Sequence, residues 1–171
     1  MTGIILPYKG ILPTIHGTAF VAPTAVVIGD AVIGEDSGIW FGCVVRGDVN
    51  VIRIGKRTNI QDGTIIHVAS RGQGTFIGDD ITVGHMAVLH ACTLEDGCFV
   101  GMKACVMDGA VVESQAMVAA GALVTPGKRV RRGQLWGGSP ARLLRDLTPE
   151  ELAFFPESAA HYAELGRSYR L

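Results

Sequence analysis

Branched apolar residues recur at every sixth position over most of this chain. They run Ile15, Val21, Val27, Ile33, Ile39 and Val45, then Ile54, Ile60 and Ile66, then Ile77, Val83 and Leu89, and finally Leu94, Val100, Val106, Val112, Val118 and Val124. Four residues after most of them stands a small residue, as at Ala25, Ala31, Cys43, Thr64, Ala87, Thr93, Ala104 and Ala116. Glycine often follows the apolar residue directly, as at Gly34, Gly55, Gly78 and Gly84. A period of six matches neither the 3.6 of a helix nor the strict alternation of a hairpin meander. It matches a short strand plus a turn, repeated as the flat faces of a coil. Three such faces close a triangular prism, with the branched residue pointing inward and the small one at the corner. The phase slips between residues 45 and 54, 66 and 77, and 89 and 94, and slips predict loops. The longest of these is VASRGQGT at 68–75.

The period stops near Gln134, and the prism domain is read as residues 1–142, leaving 143–171 as a C-terminal tail. In that tail Thr148, Pro149 and Glu151 make an N-cap, a first-turn proline and a capping-box glutamate. Leu152, Phe155, Ala159, Tyr162, Leu165 and Tyr169 then recur at helical spacing and predict one apolar stripe, lying along the prism or on a neighbouring subunit. Pro156 is expected to divide the tail into a short helix and a longer one.

Composition agrees with a narrow core. Twenty-three glycines and 48% hydrophobic residues, with aromatics at only 6%, ask for an interior lined by small and branched side chains. A net charge of -1 offers no basic field for nucleic acid or anionic lipid. No apolar run approaches the ~18 residues of a membrane span, and the N-terminus lacks a secretory pattern, so the expected location is cytoplasmic. Cys43, Cys92, Cys98 and Cys105 form no CxxC pair and sit among interior-type residues, which reads as reduced packing cysteines.

The chemistry lies in three histidines. His85 and His90 stand five apart in VGHMAVLHAC, a spacing that aims both rings at one point on neither a helix nor a strand. The hexad phase places them differently. If successive hexads occupy successive faces, Ile66 and Leu89 share face three on adjacent coils, and His67 and His90 each follow one residue later. Strand spacing sets them roughly 4.8 Å apart, side by side and outward, a good separation for two imidazoles on one metal ion. His85 falls on face two, and only a rotationally related neighbour brings it to the same ion. Three copies around a threefold axis then make three metal sites, each shared by two subunits. The register stacks Arg46 with His67 and His90, with Asp48 close behind. Gln61 and Asp62 fall beside His85. His16 and His161 read as surface or packing histidines.

The hexads, together with RGDVN at 46–50, NIQD at 59–62, IIH at 65–67, VGHMAVLH at 83–90 and GSPAR at 138–142, resemble the gamma-class carbonic anhydrase family. The likeness covers nearly the whole chain. It implies an all-β solenoid, specifically a left-handed parallel β-helix of hexapeptide repeats with a C-terminal helical tail. It implies a homotrimer whose zinc, or iron or cobalt, is bound between subunits by histidines matching His67, His85 and His90. It implies an interfacial ion pair matching Arg46 and Asp62, and polar residues near the metal matching Gln61, Asn59 and Asp48. A tyrosine of the C-terminal helix matches Tyr162. The reaction implied is hydration of CO₂ to bicarbonate, since three neutral imidazoles and an open position lower the pKa of metal-bound water toward ~7. The family's acidic proton-releasing loop is missing here, because 68–75 carries arginine and no carboxylate. Two alternatives stay open: an acyltransferase or thioesterase acting on acyl-coenzyme A with a histidine base, and a non-catalytic, metal-stabilised trimeric assembly subunit.

Overall fold

A computed structural model describes residues 3–170. The chain forms a parallel β-solenoid followed by one helix, and the inward apolar residues stack in three columns. One column runs Val27, Val45, Ile66, Leu89, Val106 and Val124. The next runs Ile15, Ile33, Ile54, Ile77, Leu94, Val112 and Val130. The third runs Val21, Ile39, Ile60, Val83, Val100 and Val118. All but Ile15 are buried. Most strands are two or three residues long, so each face leaves room for one inward side chain per coil. That geometry explains the six-residue period and the scarcity of aromatics in the interior.

The slips resolve in different ways. The stretch from 45 to 54, expected to loop out, is an unbroken strand Val44–Ile54 beside Val26–Ile33. Both strands bend through the same corner, so their backbone groups keep partners where a loop would need solvent. The register shifts there between Gly29 and Ala31. Gly29 takes φ +70°, and a Cβ on it would stand 2.3 Å from the Gly47 carbonyl oxygen, so only glycine fits. At the slip between 89 and 94, Thr93 was the expected corner residue. Thr93 instead pairs with Phe76 in the strand, and the fully buried Cys92 fills the corner. One residue has been lost from that hexad, which brings the corner one position earlier in the chain.

Strands Gln134–Gly138 and Ala141–Asp146 form an antiparallel hairpin at the end of one sheet. The helix Pro149–Ser168 follows, with Thr148 as N-cap and the capping box complete: Glu151 N–H donates to Thr148 Oγ1 at 3.3 Å, and Thr148 N–H to Glu151 Oε2 at 2.9 Å. Replacing Thr148 by alanine is expected to cost about 1 kcal/mol of stability, read as a lowered denaturant midpoint at unchanged slope.

Pro156 does not divide the helix, contrary to expectation. Burial on either side of it accounts for the difference. Phe155, Ser158, Ala159, Ala163 and Gly166 pack against the face formed by Gly38–Ile39, Asn59–Ile60 and Thr82–Val83. Small residues at 163 and 166 permit close approach; a Cβ on Gly166 would lie 3.3 Å from Phe20 Cβ. This anchoring keeps the helix continuous through one missing hydrogen bond.

Candidate metal and catalytic site

His67 and His90 pair directly in register on adjacent coils, one residue beyond Ile66 and Leu89. Their ring centroids are 5.2 Å apart, and His67 Nδ1 faces His90 Nε2 at 3.2 Å. The opposite nitrogen of each ring meets a carboxylate. His67 Nε2 lies 3.0 Å from Asp48 Oδ1, and His90 Nδ1 lies 2.6 Å from Asp108 Oδ1. A carboxylate accepts a proton and has none to give, so each ring donates on its outer side. In neutral rings both inner nitrogens then present lone pairs to one gap. Two nitrogens bound to a zinc-type ion at roughly 2.0–2.1 Å and a tetrahedral angle stand roughly 3.2–3.4 Å apart. The donor pair fits a divalent metal.

His85 lies on the neighbouring face and does not join that pair. Its Nδ1 meets Asp62 Oδ2 at 2.8 Å, which leaves Nε2 as the acceptor of the neutral ring. Among the described residues of one chain, no three His, Cys, Asp or Glu side chains form a metal-holding group. Thiolates are not available as substitutes. Burial pushes the Cys43 thiol up to about 11 and the Cys92 thiol up to about 12, and all four cysteines are free. His16 is exposed and pairs with Thr18, and His161 is exposed against Tyr162.

Within the chain Arg46 does not meet Asp62. Its guanidinium pairs with Asp48, which also serves His67. Burial alone would raise the Asp48 carboxyl. Hydrogen bonds from His67, Arg46 and the Val49 N–H outweigh it and hold the group below its ordinary value.

Asn59 and Gln61 are buried because the C-terminal helix covers their face. Ser158 of the helix meets Thr82 at 2.9 Å, Asn59 Nδ2 donates to Thr82 Oγ1 at 2.9 Å, and Gln61 Nε2 donates to Asn59 Oδ1 at 3.0 Å. Gln61 in turn contacts the phenol of Tyr162, whose ring stands edge-on to Trp40 at 5.5 Å. Burial first, and then the Asp62 carboxylate, raise that phenol, so it is protonated at neutral pH. Gln61, Tyr162, Asp62 and His85 thus form one cluster, and Asn59 supports it from behind.

Three residues of this arrangement escaped the sequence reading: Asp108, Thr82 and Ser158. Asp108 had a signal, since the hexad phase stacks Val106 on Leu89 and so brings residue 108 near His90. Thr82 and Ser158 had none. Their contact depends on which face the helix covers.

No family model matches the chain. It is 52% identical over 162 residues to gamma carbonic anhydrase 1, mitochondrial, of Arabidopsis thaliana, covering 92% of this chain and 59% of that protein. The solved structure of a hexapeptide transferase family protein from Anaplasma phagocytophilum superposes with a TM-score of 0.94 at 48% identity, covering 97% of this chain and 98% of that one. The chain belongs to the gamma-class carbonic anhydrase family of hexapeptide-repeat proteins. The solved structure of a Bacillus cereus protein described as a putative acetyltransferase has the same fold, with a TM-score of 0.96 at 37% identity over 99% and 98% of the two chains. The chain spans about three-fifths of the length of the Arabidopsis gamma-class relative. No helix among the described residues is long and apolar enough to cross a membrane.

Proposed function

We propose that this protein hydrates CO₂ reversibly to bicarbonate at a metal site shared between two copies of the chain in a homotrimer. The observation that carries the reading is the facing pair His67 Nδ1 and His90 Nε2, with His85 on the adjacent face tied to Asp62 through Nδ1 so that its Nε2 is left as an acceptor. A threefold assembly lets His85 of one copy complete the pair on the next. When bound, a zinc-type ion, or iron or cobalt, supplies the Lewis acidity that makes hydroxide available near neutral pH.

The chain's own residues do the rest. Asp48, Asp62 and Asp108 hold the ring nitrogens that do not face the metal. The Gln61 amide, kept in place through Asn59, hydrogen-bonds the attacking oxygen or the CO₂ oxygen and orients one against the other. Tyr162, un-ionised, closes one side of the site and offers its hydroxyl without adding charge. In the trimer Arg46 reaches Asp62 of the adjacent copy in addition to its own Asp48. Proton release has no acidic loop to use, which makes it the slow step. Reduced cysteines suit the cytoplasm or another reducing compartment.

The test is metal analysis of freshly purified protein coupled to stopped-flow CO₂ hydration. One ion per chain and a hydration rate that rises with buffer concentration are expected. Acyl transfer is the second reading, favoured by the transferase names of relatives at 48% and 37% identity. Metal-free protein that turns over acyl-coenzyme A would replace the first reading with the second. Stoichiometric metal with neither activity would leave a metal-stabilised assembly subunit.

A further inference from the structure

We infer that Asp108 is a positioning residue for His90, selecting the tautomer in which Nε2 can bind a metal. The inference rests on the metal-site reading above. Asp108 lies one coil beyond His90, at the corner that follows Val106, and its Oδ1 reaches back to His90 Nδ1 at 2.6 Å. The corner itself makes no demand for an acid. Its backbone contacts are a carbonyl that accepts from Gly127 N–H at 2.9 Å and a following Gly109 N–H that donates to Ala91 at 2.8 Å, and any residue supplies the same. Among the described residues, His90 is the only ion-pair partner of the Asp108 carboxylate. Asp48, by contrast, divides its two oxygens between His67 and Arg46. A partly exposed acid with one short contact to a ring nitrogen acts on that ring.

The consequence is a choice of tautomer. Neutral imidazole carries its proton on either nitrogen, and in water the two forms coexist. With Asp108 accepting from Nδ1, the proton stays there, and the Nε2 lone pair stays aimed at the gap opposite His67 Nδ1. The carboxylate also makes the ring a stronger donor. Without it, His90 is free to turn its protonated nitrogen toward His67. A hydrogen bond then forms across the gap that the ion would have to break.

Asp108→Ala and the conservative Asp108→Asn are compared with wild type by competition against a chelator, with zinc as the probe, and by nitrogen NMR of the metal-free protein. Wild type is expected to show His90 protonated at Nδ1. D108A is expected to bind zinc roughly 10–100-fold more weakly, with His90 as a tautomer mixture. D108N keeps an acceptor for Nδ1–H, so it should keep the tautomer and lose less affinity. Unchanged zinc affinity in both variants, or an unchanged His90 tautomer in D108A, overturns the role of Asp108. Wild-type protein that fails to bind zinc at all overturns the metal-site reading instead. If D108A does not fold, D108N decides: it must retain the Nδ1 tautomer, and loss of that tautomer in a folded trimer overturns the inference.

Discussion

Two variants that each lack metal are expected to recover about a quarter of the wild-type metal content when unfolded together in equal amounts and reassembled. One variant lacks His67 and His90, and the other lacks only His85. His67 and His90 face each other at 3.2 Å on one face, while His85 is tied to Asp62 on the next, so in the proposed shared site neither variant can complete the ligand set by itself. In a mixed trimer a site is whole where the second variant supplies His67 and His90 and the first supplies His85. Random placement around a threefold ring makes roughly one interface in four of that kind. Metal content is read by elemental analysis and hydration by stopped flow, and both should return to the same fraction. No recovery would mean that each ion is held within one chain. Acyl transfer from a single His85 base would instead leave the first variant active before mixing.

Leu89→Ala is expected to lower stability by about 2–5 kcal/mol, the range for emptying a buried leucine site. Leu89 is fully buried between Ile66 and Val106, in the column that carries the two histidines. Strands of two or three residues leave the neighbouring coils little freedom to close over the cavity, so the loss should fall in the upper half of that range. Ile66→Ala removes the adjacent layer, and the double variant should depart from additivity because the two side chains stack directly. Urea unfolding at one fixed protein concentration measures all three, since the proposed trimer would make stability depend on concentration. Simple additivity would show that the layers do not support each other. Zinc affinity should fall in both single variants, because His90 and His67 stand one residue along from the side chains removed.

The hexad phase was enough to place the three inward columns and to put His67 beside His90. It was enough because a solenoid is almost one-dimensional: each coil contacts only the coils before and after it, so sequence separation converts directly into position. Ile66 stacking on Leu89 and Ile60 on Val83 follow from counting. The capping box at Thr148 and Glu151 was legible for a similar reason, since its partners lie within one turn.

What counting could not reach were contacts that leave this single dimension. Pro156 stays helical because the helix is held along one face of the prism, and that face is chosen by the fit of Ala163 and Gly166 against Phe20 and its neighbours. The same choice buries Asn59 and Gln61, links them to Ser158 through Thr82, and sets Tyr162 beside Gln61. Arg46 meets Asp48 in its own chain because the strand runs unbroken through the corner at 45–54, where the broken phase had suggested a loop. Asp108 meets His90 by reaching back around a turn. The sequence by itself determined which residues point inward and which coils are neighbours, because that depends on period alone. Only the tertiary structure decided which carboxylate serves which imidazole and which face the helix covers, because those depend on side-chain reach and packing between elements with no common period.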